Sequence, residues 1–119
     1  MRYTRLYTDE HGVSRFEDLD MDFAMADFAP PAPPVAVSTP MAASAVLVLR
    51  GEQGWTDPEH PAPARQLMVL AKGAIEVAAG GEVRRFEAGA IVLVEDTDGP
   101  GHATTLLDDG YVVAVRLAP

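Results

Sequence analysis

Cysteine does not occur in the 119 residues, which removes disulfides, thiolate nucleophiles and sulfur-ligated zinc together. Any metal would have to be held by nitrogen and oxygen donors. Basic residues are few, nine against 18 acidic ones, and the formal net charge of −9 predicts a surface that repels phosphate backbones and anionic lipid headgroups. Neither nucleic acid nor a membrane is an expected partner. No apolar run approaches transmembrane length, and the opening MRYTRLYTDEHG has basic residues with no apolar segment behind them, so the chain reads as soluble and cytoplasmic. Phosphate-binding loops, nucleophile elbows and dinucleotide fingerprints are also missing.

Long stretches free of breakers are lacking as well. Ten glycines and ten prolines interrupt the chain at short intervals and leave no room for a helix of more than a turn or two. What remains between them favours strand: residues 2–7, 14–23, 34–37, 44–50, 65–71, 74–79, 82–87, 90–95, 102–107 and 111–117. Short strands at this spacing predict one all-β domain, a sandwich or barrel. The pair AIEVAAGGEVRRFE predicts a hairpin, because Gly80 and Gly81 adopt positive φ without steric cost. The runs LMVL, VLVL and VVAV are apolar at every position, so both faces of those strands should be covered, one by the opposite sheet and one by a further element or a second subunit. A homodimer is therefore expected. The tract APPAPPVAVSTP, residues 29–40, holds five of the ten prolines and reads as an extended connector, lying across the barrel or exchanged with a neighbouring subunit. Residues 1–43 are thus expected to complete the barrel or dimer, and residues 44–119 to form its core.

Side chains able to carry chemistry are sparse. Of the three histidines, His11 beside Gly12 reads as a surface residue. His60 stands five residues before the strand RQLMVLA, and His102 follows the turn EDTDGPG and opens the strand HATTLL, so one end of a barrel can bring the two together. Gln66 shares a strand face with Met68 and Leu70. Its amide donates and accepts at once and can orient a carbonyl or hydroxyl beside an imidazole that moves a proton. Glu95 and Asp96 read as turn formers, with support of the basicity of His102 as the alternative.

Residues 44–117 resemble the cupin superfamily of small double-stranded β-helix barrels. Its first motif has two histidines, a glutamate and a later glycine; His60 matches the first histidine, Ala62 stands at the second, Gln66 replaces the glutamate, and Gly73 lies seven residues on. Its second motif is matched by Gly89, the GPG of residues 99–101 and His102, at a spacing longer than the family's. The segments APARQ and EDTDGPGH are similar to those of a subset of small bacterial cupins. The resemblance implies a single-domain, jelly-roll-like all-β barrel.

It also implies a divalent metal held by three histidines and a carboxylate, of which only His60, His102 and the neutral Gln66 remain as candidate ligands. The cofactor is thus left unknown, none being the first expectation. The leading expectation is a small-molecule-binding protein, with metal-independent isomerase, lyase or cyclase-like chemistry by His60, His102 and Gln66. The alternatives are a metal-dependent dioxygenase or isomerase, and a non-catalytic ligand-binding or sensor module. Trp55, Met41, Leu47, Leu49, Met68, Leu70 and Thr104 are the expected pocket residues, suited to a ligand with an apolar body.

Overall fold

Twelve strands and no helix make up the structure, a computed structural model that describes residues 1–119. They are β1 (Arg2–Thr8), β2 (Ser14–Asp20), β3 (Phe23–Ala26), β4 (Val35–Ser38), β5 (Ala43–Gly51), β6 (Thr56–His60), β7 (Gln66–Lys72), β8 (Ala74–Ala79), β9 (Glu82–Glu87), β10 (Ile91–Glu95), β11 (His102–Leu106) and β12 (Gly110–Leu117). A six-stranded sheet in the order β2-β1-β10-β7-β12-β5 faces a four-stranded sheet in the order β6-β11-β8-β9. Only β1 and β10 pair in parallel.

The glycine pair turns β8 into β9 as the sequence predicts: Gly80 and Gly81 have φ of 57° and 81°, and Ala79 lies opposite Glu82. Between the sheets, Leu6, Leu70, Val77, Phe86, Val92 and Val94 form the buried cluster, with Met68 and Val112 packed against it. On β7 and β10 these side chains alternate with outward-facing ones, so the period of two decides which residues reach the interior.

Three expectations are corrected. The segment 14–23 is not one strand; it breaks after Asp20, and Phe23 begins β3. The tract 29–40 is not a plain connector, because its Val35–Ser38 portion pairs with β3 as a separate hairpin that joins neither sheet. Polar TDPEH, which has no strand-like apolar pattern, forms β6 through pairing with β11. A further expectation fails within the single chain: β5, the VLVL strand, lies at a sheet edge, with Val46 and Val48 66% and 67% exposed. Together with the detached β3–β4 hairpin this gives an elongated molecule of 48 × 35 × 24 Å. Its radius of gyration of 15.4 Å exceeds the roughly 13.5 Å of a compact chain of this length.

Candidate functional site

A cavity of about 580 Å³ opens between the sheets. Its walls are mainly apolar, with Leu47, Leu49, Met68, Leu70, Val77 and Phe86 among them, and its polar groups include Gln66, His60, His102, Thr104 and Asp57. The volume suits a small organic molecule, and a few polar groups in an apolar wall are the usual make-up of such a site. Of the expected pocket residues, Trp55, Leu47, Leu49, Met68, Leu70 and Thr104 line the cavity and Met41 does not. Met41 precedes β5 and is 40% exposed.

His60 ends β6 and His102 begins β11, and the two are direct cross-strand partners with ring centroids 5.6 Å apart. Glycine makes this approach possible. Gly101 has φ of 82°, and a Cβ there would run into the His60 carbonyl and the Pro61 nitrogen, so no other residue packs against that backbone without moving the strands apart.

Each imidazole has an aspartate, and the two environments differ. His102 donates from Nδ1 to Asp96 Oδ2 at 2.6 Å. The same oxygen accepts from Ser14 Oγ at 2.8 Å, while Oδ1 of this fully buried carboxylate has no partner. With the proton fixed on Nδ1, a neutral His102 carries its lone pair on Nε2, which bonds to no protein group. His60 is engaged at both nitrogens: Nδ1 is 2.7 Å from the Pro61 carbonyl oxygen and Nε2 is 2.5 Å from Asp57 Oδ2. Both partners are acceptors, so the protonated ring, which donates from both nitrogens, is the form that these contacts favour. The hydrogen bond to Asp57, followed by that to Pro61, accordingly raises the His60 pKa above 6.5.

Gln66 opens β7 on the interior face, is 8% exposed and lines the cavity, where its amide is open to a ligand or solvent; the buried side-chain atom left without a partner is Asp96 Oδ1. The cross-strand neighbour of Gln66, Arg116, lies on the same cavity wall. Glu95 plays a scaffolding part: burial would raise its pKa, but hydrogen bonds from Arg5 at 2.7 Å and Arg65 at 2.6 Å hold it below the ordinary value. These bonds tie β1 and the approach to β7 to the end of β10, next to Asp96. His11 lies apart from the site at the exposed β1–β2 turn.

Nothing in the sequence singles out Asp57, and the local pattern marks Asp96 first as a turn former. No spacing rule connects Asp57 to His60 unless TDPEH is known to be a strand end. The expected metal ligands do not make a ligand set. His60 has no free nitrogen, Gln66 offers only a neutral amide, and Ala62, 5% exposed, fills the second histidine position. No three His, Cys, Asp or Glu side chains converge as metal donors. The residues present do not fit a cupin metal.

No model of a known protein family matches the chain, and neither does any curated protein. Among solved structures, the chain is similar to the Schizosaccharomyces pombe Cnp3 cupin domain at 12% identity and a TM-score of 0.53, covering 99% of this chain and 88% of that one. It is also similar to the conserved SPY1581 protein of unknown function from Streptococcus pyogenes, at 18% identity and a TM-score of 0.54. That match covers 62% of this chain and 63% of the other, less than two thirds of its length. At such identities the likeness is one of fold, and the fold is that of a cupin-like β-sandwich domain.

Proposed function

We propose that this cupin-like domain binds a small organic molecule between its sheets and moves a proton on it without a metal, as an isomerase or lyase. The observation that carries the reading is the Asp96–His102 pair, whose unpaired Nε2 belongs to a side chain lining an apolar cavity. Asp96 holds the tautomer and the ring, so His102 is the acid–base residue. It takes a proton from a carbon next to a carbonyl and returns it to a neighbouring atom, or a leaving group departs with the electron pair. The His60 imidazolium does not serve as the acid, since both its N–H groups are already donated; its charge and the Gln66 amide stabilise the negative charge that develops on the carbonyl oxygen.

The ligand class follows from the wall. Six of the nine basic side chains pair with carboxylates, whereas Arg50, Lys72 and Arg116 pair with none. Arg116 is the one beside Gln66 on the cavity wall. A guanidinium next to an amide suits a carboxylate, so a carbonyl-containing carboxylic acid with an apolar body is the preferred ligand.

The test is solvent-deuterium incorporation into a panel of keto and hydroxy acids, with chelator present, alongside binding measured by calorimetry. A bound compound that gains deuterium with the natural protein and not with His102→Ala, which still binds it, supports the proposal. Exchange that survives His102→Ala overturns the mechanism. Binding with no exchange in any compound leaves a binding or sensor module, a reading that the apolar cavity supports independently.

A further inference from the structure

Two parts of the molecule are apolar, unpartnered and built into the same chain. The first is the hairpin of β3 and β4, whose strands hydrogen-bond only to each other, with Phe23, Met25, Phe28 and Val35 all exposed. A two-stranded hairpin of this length is marginally stable at best in water without something to pack on. The second is β5, a nine-residue edge strand whose outer hydrogen-bonding edge pairs with nothing. Long apolar edges of this kind are normally blunted by charge, proline or a cover, and β5 has none of these over residues 43–49.

The apolar surface of β5 continues across the sheet. Register places Val46 beside Val115, Leu67 and Leu93, and Val48 beside Val113, Val69 and Ile91. Cross-strand partners share a face, so these residues form two apolar rows on the side opposite Leu47 and Leu49, most exposed at Val46 and Val48, half-buried across β12 and β7, and closed over at the buried Leu93. Charge distinguishes the two surfaces. No Lys or Arg occurs between Arg15 and Arg50, and Asp22 and Asp27 on the arm pair with no cation. Arg50 and Lys72, the two cross-strand neighbours of Tyr111, stand at the end of the apolar rows where the sheet edge meets the cavity mouth, with Lys72 5.6 Å from the Tyr111 ring.

We propose that two copies of this chain associate by reciprocal docking, the β3–β4 arm of each lying along β5 of the other. A second copy is the occupant that both surfaces select. The acidic apolar arm fits the basic-rimmed apolar strand, each chain carries one of each, and a two-fold axis satisfies both at once and closes the assembly. Arm and strand together then give VLVL the outer cover that a strand apolar on both faces requires. This inference does not depend on the proton-transfer reading.

Sedimentation of the natural protein should give twice the 12.7 kDa chain mass. Val48→Lys and Phe28→Asp, both at exposed positions that leave the core untouched, should each weaken the dimer by at least about tenfold. The chain has no cysteine, so Phe28→Cys and Val48→Cys proteins can be mixed and joined by a short bis-maleimide. A cross-linked pair formed only from the mixture is expected. A monomer at micromolar concentration overturns the proposal, as does a dimer indifferent to both charge substitutions. Cross-linking only within one chain, in a Phe28→Cys/Val48→Cys double variant, would mean that the arm folds onto its own β5 and would also overturn it.

Discussion

The two imidazoles of the site differ in what a change of pH does to them. His60 gains its charged form on folding through Asp57 and the Pro61 carbonyl, so its pKa is higher in the folded chain than the ordinary 6.5. The stabilisation is therefore complete below that ordinary value and is lost as pH rises through the higher folded one. As pH rises above 6.5 the natural protein should lose thermal stability, and Asp57→Asn should flatten that dependence. Melting curves of both proteins over that rise in pH test it; parallel curves would rule out the pair as the source. Gln66 supports a second prediction. Its amide lines the cavity, so Gln66→Leu should change stability in urea unfolding by less than about 1 kcal/mol, while carboxylic-acid binding falls. A larger loss of stability would show instead that the amide has a structural partner. Gln66 and His102 could be found from sequence because strand alternation and a turn signal place them. Asp57 could not: its partner His60 is only three residues on, but nothing in TDPEH shows that it ends a strand paired with β11, which is what sets the two side chains at the cavity.

At the level of elements, the site depends on how closely β6 approaches β11. Gly101 enables that contact, and Gly101→Ala would set a side chain in positive-φ backbone against the His60 carbonyl. A loss of roughly 1–3 kcal/mol in unfolding free energy is expected, the range for strained backbone, together with changed chemical shifts of both His60 and His102. A fully stable variant with unmoved histidine signals would show that the turn yields elsewhere. The glycine-paired β8–β9 hairpin and the apolar β7, β10 and β12 were legible because local chemistry decides them. β6 was not: TDPEH has neither β-branched density nor apolar alternation, and it is a strand because β11 offers it an edge. The split between β2 and β3 was hidden for the opposite reason, since alternation continues through Asp20 to Phe23 while the hydrogen-bond partner changes.

For the whole molecule, an all-β sandwich or barrel could be anticipated from strand spacing, and its cupin-like form from the resemblance of residues 44–117, but the placement of the arm could not. A sequence shows that VLVL needs two covers and that residues 22–41 are apolar; it does not say that the same copy leaves both exposed. If folding of the exposed strand is completed by association, stability must follow mass action, because only the native chain binds its partner. The melting temperature of the natural protein should then climb with concentration, while Val48→Lys should melt lower and show no such rise. Calorimetry over a hundredfold concentration range separates the two cases. The cavity should respond in step, since Leu47 and Leu49 face it from the same strand whose outer residues meet the arm. Val48→Lys is thus expected to weaken binding of an apolar anionic probe such as anilinonaphthalene sulfonate, although residue 48 lies on the face opposite Leu47 and Leu49. Unchanged probe affinity in a demonstrably monomeric variant would separate the interface from the cavity and leave β5 rigid without its partner.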